Sequence, residues 1–256
     1  MIQRLLAPNP SMYTGPGTNT YVLVSNGEAL VLDPGPIIDE HTLEIISALK
    51  GIDPVGVVVT HTHPDHAPMA NPLGSRLGVP VYGYERGPQF VPDVMVGDGG
   101  SIDFGSLSLS AIHTPGHTPD HLCFLLGDTL FTGDHIMEGS TVIIEDAADY
   151  LDSLYLVRDL HVRTLEPGHG DSMDNAAMVI TSYIDHRLER ERQIIDAVRG
   201  GARSIGTIVD VVYEGLPIGL RHAAVHQVGV QLHKLVEDGL VRVDGEAYVI
   251  RHPYDV

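Results

Sequence analysis

Residues 57–67 read VVVTHTHPDHA, an apolar run that passes directly into three histidines and an aspartate. No other stretch constrains the fold as strongly. The valines have the character of a strand buried on both faces, and the side chains that follow place ligand chemistry at its end. In extended chain, residues two apart project to the same side. His61 and His63 can therefore close on one cation at metal–nitrogen distances of about 2.0–2.1 Å. Asp65 and His66 fall where the chain turns towards its next element, so they point elsewhere and suit a second, adjacent cation. The competing reading is a polar loop with solvated histidines. So dense a group of metal-binding side chains behind an interior strand weighs against it.

Two sites need further donors, and three more strand-like runs supply them. HTPGHTPDH puts His117 after a Pro-Gly turn, LFTGDH ends a strand with Asp134, and LEPGHG ends another with His169. Glycine beside each lets the backbone approach closely. Any one of these alone is a weak signal. Together the chain offers His61, His63, Asp65, His66, His117, Asp134 and His169, enough for two cations sharing one carboxylate. Such a set suits Zn2+, and Mn2+ or Fe is compatible with it. Two cations so placed bring the pKa of a shared water towards 7.

The rest of the chain fits a frame that carries these loops. TYVLVS (20–25) and ALVLDPG (29–35) read as paired strands across an NGE turn, and residues 39–51 as an amphipathic helix stopping at Gly51. Runs at 79–85, 106–116, 121–127, 128–134 and 163–170 read as further strands ending in glycine- or proline-bearing loops. Two β-rich halves with interspersed helices predict an α/β (α+β) chain built as an αββα sandwich, with its chemistry on loops at one end of the sheets. Near residue 175 the pattern changes. A long charged helix (175–201) is followed by helical segments at 204–216 and 220–239, the latter read as two helices meeting near Val228–Gly229, and then by a hairpin over 240–250. That order is the pattern of a winged helix. The expected units are residues 1–185 and 186–256.

Composition narrows the function classes. Formal charge is −19, and residues 1–185 hold 6 Lys/Arg against 24 Asp/Glu, which argues against broad polyanion binding. The expected third helix of the winged unit carries one lysine, whereas duplex readers present a basic face; packing as a lid or pocket wall is the competing role. No apolar run reaches the roughly 18 residues of a membrane span, and the N-terminus breaks at proline too early for a signal peptide. The expectation is a cytoplasmic protein, or one mature after processing. A homo-oligomer is compatible with this composition. The single Cys123 lies in HLCFLLG and reads as a small buried hydrophobe.

The motifs THTHPDHA, TPGHT, FTGDH and PGHG, in this order and spacing, resemble those of the metallo-β-lactamase superfamily. The resemblance implies one site from His61, His63, His117 and Asp134 and a second from Asp65, His66, His169 and the same Asp134. NPSMYTGPGTNTYVLV, GHTPDH, MEGSTVIIEDAADYLDSL and YIDHRLERERQI carry a narrower similarity to the lactamase-beta-like protein 2 group, which has a C-terminal winged helix. That group includes a single-strand-specific endoribonuclease, and close relatives are fungal polyketide thioesterases. The resemblance thus implies a zinc-dependent hydrolase using a hydroxide between two cations, with single-stranded RNA the first expected substrate and a thioester or small acyl compound the second. A non-catalytic nucleic-acid-binding regulator is a third reading, opposed by the complete ligand set.

Among other residues, Asp65 and Asp134 are expected to act in catalysis. His121, four residues after His117, is the candidate proton donor to a leaving group, against a structural role satisfied by backbone. His113 and His135 read as structural. Asp33 in LDPG recurs in the superfamily as a support of the metal loop. Thr18 and Asn19 are candidates for the pocket mouth, and Tyr13 for a substrate contact. His186, His222, His226, His233 and His252 read as helix-face or surface histidines.

Overall fold

The computed structural model of the protein describes residues 1–139 and 141–251. Its first sheet joins β1 (Ile2–Leu6), β2 (Asn19–Ser25), β3 (Glu28–Leu32), β4 (Asp53–Val58), β5 (Val81–Gly83) and β6 (Val94–Met95) in that spatial order. Pairing is antiparallel from β1 to β3 and parallel from β3 to β6. Helices α1 (Asp39–Ala48) and α2 (Ala70–Leu77) are its crossovers. The second sheet joins β7 (Ser101–Phe104), β8 (Leu107–His113), β9 (Leu122–Leu126), β10 (Thr129–Gly133), β11 (Thr164–Pro167) and β12 (Met173–Asp174). It is antiparallel except between β10 and β11, where the chain crosses over through α3 (Ala147–Arg158).

Alternation along the strands shows why the layers stack as they do. Leu23, Leu30, Leu32 and Val58 meet Leu109, Leu122, Phe124 and Phe131 between the sheets. Their strand neighbours Val22, Val31 and Val57 face outward, where Ile45 of α1, Leu49 just after it and Leu73 of α2 cover them. Leu130 and Leu165 likewise face away from the sheet interface, onto Leu154 of α3 and Ile180 and Ile184 of α4 (Ala176–Arg199). Strands sandwiched on both faces need apolar residues at every position, as the valine run at 57–59 displays. The result is the expected αββα sandwich.

The rest forms the winged helix: α5 (Ile205–Val212), a 3-10 turn (Ile218–Leu220), α6 (Arg221–Glu237) and the hairpin β13 (Val241–Asp244) with β14 (Ala247–Ile250). Ile194 and Val198, late in α4, pack with Ile208, Val228, Leu232 and Val241. One 24-residue helix therefore serves both cores, its first half on the second sheet and its last turns in the winged helix, and it runs unbroken through residue 185. The break expected near Val228–Gly229 is corrected: α6 is continuous. A glycine costs a helix only about 1 kcal/mol, and Val228 and Leu232, both fully buried, hold the helix across it. No helix of the described residues is long and apolar enough to cross a membrane. Residue 252 lies outside the described residues, so the reading of His252 is not taken further.

The turn at Pro115–Gly116 ties the sandwich to its loops. Gly116 has φ of +123°, and a Cβ there would lie 2.3 Å from the Tyr150 Cα, a backbone atom of α3. Its carbonyl accepts from the N–H groups of Glu145 (2.7 Å) and Asp146 (3.1 Å). Gly116→Ala is expected to lower stability by at least about 2 kcal/mol, as overpacking and backbone strain add, and thermal unfolding measures it.

Candidate metal centre

The strand ends converge on one edge of the sandwich. Four donor groups, from His61, His63, His117 and Asp134, lie within 4.8 Å of one another; a second four, from Asp65, His66, Asp134 and His169, do the same. All seven residues singled out in the sequence are therefore brought together, and Asp134 belongs to both groups. Its carboxylate is split between them. Oδ2 lies 3.5 Å from His117 Nε2 and 3.9 Å from His61 Nε2, whereas Oδ1 lies 3.3 Å from both His66 Nε2 and His169 Nε2.

Whether cations fit this arrangement can be judged from the donors alone. His63 Nδ1 faces His61 Nε2 and His117 Nε2 at 3.0 Å each, and His66 Nε2 faces His169 Nε2 at 3.4 Å. A tetrahedral ion with bonds of about 2.0–2.1 Å holds its donors roughly 3.3–3.4 Å apart. Asp134 Oδ1 is buried and has no hydrogen-bond donor, a costly state for a carboxylate oxygen. The two clusters are thus compatible with a dinuclear metal site. Gly168 preserves the room for it, since a Cβ there would come within 2.6 Å of Asp134 Oδ1.

The ring nitrogens turned away from the clusters show which tautomers the fold enforces. His66 Nδ1 donates to Asp33 Oδ2 (2.9 Å), His117 Nδ1 to the Ile143 carbonyl (2.6 Å), and His169 Nδ1 to the Gly17 carbonyl (3.0 Å). Thr60 Oγ1 donates to Asp33 Oδ2 (2.7 Å), so it accepts from His61 Nδ1 (3.0 Å). Each of these four rings therefore turns its Nε2 inward, the atom that a metal ligand offers once its proton is displaced. Asp33 orients one ring directly and a second through Thr60. Its own φ of +49° is one that residues other than glycine rarely adopt, and bonds to the Thr60 N–H, the Thr60 hydroxyl and His66 hold it there.

Burial opposes charge throughout the centre, and neighbouring charges decide where it settles. Burial pushes His61 well below its usual range and His117 down to about 4. It works against His66 and His169 as well, yet Asp134 and the carboxylates beside it lift His66 well above its usual range and His169 to about 9. The same imidazoles, against the effect of burial, hold Asp134 well below the usual carboxylate range and Asp65 at about 2. The second cluster alone therefore keeps protons that a cation must displace.

His121 is corrected. It is fully buried behind His61, with ring centroids 5.1 Å apart, and does not line the cavity over the clusters. Its Nε2 accepts the Asp134 N–H (3.2 Å), so Nδ1 carries the proton and donates to Thr114 Oγ1 (2.9 Å). Burial drives its pKa well down, and no proton can pass from it to a leaving group. It holds the Asp134 backbone instead. Thr18 and Asn19 are likewise buried, bracing Asp65 and the strand end at Pro167 rather than lining the mouth. His113 stacks on Tyr84 at 4.3 Å, and His135 packs in the core against Tyr150. Burial pushes the Cys123 thiol up to about 12, so it stays inert. Tyr13 is exposed and lines the cavity.

That cavity, about 1020 Å³, opens over Asp65, Asp134, His63, His117 and His169. Its far wall comes from the winged helix and from α4, through Arg190, Tyr213, Leu216, Leu220, Ala224 and Gln227. The expectation of helix-face or surface histidines in the C-terminal region holds for His186, His222, His226 and His233, which are exposed. His226 also lines the cavity, and its Nε2 donates to the Ile144 carbonyl (3.1 Å). Gln227 donates to the same carbonyl (3.0 Å), and Arg187 donates to that of Val142 (2.6 Å). Between them sits the Ile143 carbonyl that receives His117. Three successive carbonyls thus connect the winged helix to a cluster histidine. No sequence signal marks these residues, because they meet their partners only across about 45 to 83 positions.

Comparison with known proteins agrees with the fold. Residues 13–169 match the family model described as the metallo-beta-lactamase superfamily, and residues 204–248 that of the beta-lactamase associated winged helix domain. A "Beta-lactamase-like protein 2 homolog" of Caenorhabditis elegans is 32% identical, covering 94% of this chain and 85% of its own. An "Atrochrysone carboxyl ACP thioesterase" of Aspergillus chevalieri is 32% identical over 77% of this chain and 66% of its own length. A metallo-beta-lactamase family protein from Thermus thermophilus superposes with a TM-score of 0.79 at 20% identity, covering 98% of each chain.

Two substitutions separate the supports of the centre. Asp33→Asn is expected to weaken both cations by about 10- to 100-fold, because Asp33 orients a ring in each cluster. Gln227→Leu is expected to weaken one cation by roughly 10-fold and spare the other. Titration against competing chelators resolves the two. Cation uptake is also expected to release protons, with affinity falling as pH drops from 9 towards 6, since His169 then holds its proton more fully; calorimetry in buffers of different ionisation enthalpy measures the release.

Proposed function

The chain belongs to the metallo-β-lactamase superfamily and is a hydrolase of that fold, and from this premise we propose that it cleaves thioesters of apolar acyl groups. His61, His63, His117 and Asp134 hold one divalent cation in this reading, and Asp65, His66, His169 and Asp134 the other. Zinc suits the donors, and manganese or iron fits the same set. Two such ions supply Lewis acidity that polarises a carbonyl and makes hydroxide available near neutral pH.

The observation that carries the reading is the wall of the cavity. Met12, Tyr13, Met137, Val142, Ile143, Leu216, Leu220 and Ala224 make it largely apolar, and among the described residues Arg190 is its one basic residue outside the histidines. A single strand of RNA needs a basic track for its phosphates, and this chain carries −19. An acyl chain needs the apolar wall that is present. The leaving group points the same way. With His121 out of reach, the proton donor that the sequence suggested for a departing alkoxide is withdrawn, whereas a thiolate leaves without one. Asp65, the cluster carboxylate most open to the cavity, is placed to orient the attacking water. Its oxygen adds to the carbonyl carbon, the carbon–sulfur bond breaks with its electron pair staying on sulfur, the two protons of the water pass to solvent, and the products are a carboxylate and a thiolate. The ACP thioesterase name of the Aspergillus relative supports this choice.

A panel of medium-chain acyl thioesters on coenzyme A, N-acetylcysteamine and an acyl carrier protein tests it by thiol release. The metal-loaded protein is expected to exceed Asp134→Ala by at least about 10³-fold, and chelation is expected to abolish turnover. Cleavage of labelled single-stranded RNA with no thiol release would overturn the assignment in favour of the nuclease that the resemblance to the lactamase-beta-like protein 2 group implies.

A further inference from the structure

Arg190 lies on α4 one turn beyond Arg187, and the two arginines are used differently. Arg187 is 4% exposed and spends its guanidinium on the Val142 carbonyl, on Gln227 Oε1 (3.3 Å) and on the Tyr150 ring. Arg190 is half-buried and reaches the cavity wall. Its guanidinium lies 4.2 Å from the centroid of the Tyr213 ring, and Nη1 donates to Gln193 Oε1 (2.9 Å). It makes no ion pair among the described residues, although acidic side chains outnumber basic ones 34 to 15 in the chain. Among the described residues, Glu145 is the only carboxylate on the cavity wall apart from Asp65 and Asp134, and it does not pair with Arg190.

A guanidinium held over an aromatic ring is fixed in direction, and beyond the Nη1 bond to Gln193 the described residues leave Arg190 with further N–H groups to donate. Placed in an apolar cavity, such a guanidinium selects a carboxylate or a phosphate through charge-assisted, two-pronged hydrogen bonds. Neutral ligands gain nothing from it. Arg190 stands on the wall contributed by α4 and the winged helix, whereas the clusters stand on the sandwich, so one ligand can engage both.

We propose that Arg190 is a specificity-determining residue that binds an anionic group of the substrate, so that preferred substrates are apolar acyl thioesters bearing a carboxylate or phosphate away from the scissile carbonyl. The assignment of thioesters rests on the function proposed above; the anion site does not. The anion is either the acyl group's own distal carboxylate or the phosphate of a phosphopantetheine carrier. Both present a pair of anionic acceptor oxygens to Arg190.

Binding of unreactive probes tests the site without any turnover. α,ω-Dicarboxylates from adipate to dodecanedioate are titrated calorimetrically into the metal-loaded protein, each beside the monocarboxylate of equal length. One carboxylate is free to engage the cations in both series, so the difference reports the second. At the best length the wild type is expected to prefer the dicarboxylate by at least about 10-fold, Arg190→Gln to lose that preference, and Arg190→Lys to keep part of it. No preference in the wild type, or an equal preference in Arg190→Gln, would overturn the proposal. Thermal unfolding of each variant shows that the fold is retained.

Turnover then identifies the source of the anion. ω-Carboxyacyl thioesters of N-acetylcysteamine carry only the acyl carboxylate, and simple acyl thioesters of phosphopantetheine only the phosphate. Arg190→Gln is expected to raise KM by at least about 10-fold for one of them, with kcat little changed. An equal rise for an uncharged acyl N-acetylcysteamine thioester would contradict a charge-specific role. Absence of all thioesterase activity in the wild type would remove the proposed reaction, and the dicarboxylate preference would still decide the site.

Discussion

Everything at the active edge depends on one buried carboxylate facing two nests of imidazole nitrogens. Asp134 offers Oδ2 to His61 and His117 and Oδ1 to His66 and His169. Among the described residues, no other belongs to both groups. Burying a carboxylate is costly unless it is fully paired, and this one has an oxygen without a hydrogen-bond donor. The fold pins it from behind, through the His121 ring that accepts its backbone N–H. Two sheets pressed face to face bring the carriers of these side chains to one edge, and the long apolar strands exist to hold that edge still.

The winged helix belongs to the centre as much as the sandwich does. Its core shares α4 with the catalytic layer, and its long helix donates to the Ile144 carbonyl next to the carbonyl that fixes His117. The same helix walls the cavity. A module whose shape suggests nucleic-acid reading is here placed as a wall and a clamp, which agrees with its near-neutral charge.

The metal loops are legible in the sequence because their chemistry is local. His61, His63, Asp65 and His66 follow directly on an interior strand, and His117, Asp134 and His169 each end one, so residue type and strand periodicity are enough to group them. Helices α2 and α3 are not legible. Pro72 and Gly74 hide the first, and the second announces itself only by the Asp146 cap, which accepts the Asp149 N–H. His121 misleads because sequence places it near His117 but cannot say that both its nitrogens are already taken. His226 and Gln227 escape a sequence reading for a different reason: their shared partner, the Ile144 carbonyl, lies more than 80 positions away, and no local pattern marks Arg190 as part of a cavity wall.

The most direct test of a centre built around Asp134 is anomalous diffraction from crystals of the metal-loaded protein. Two peaks about 3.5–4 Å apart, one among His61, His63 and His117 and one among Asp65, His66 and His169, with the Asp134 carboxylate between them, are expected. A single peak, or two peaks that Asp134 does not join, would contradict it.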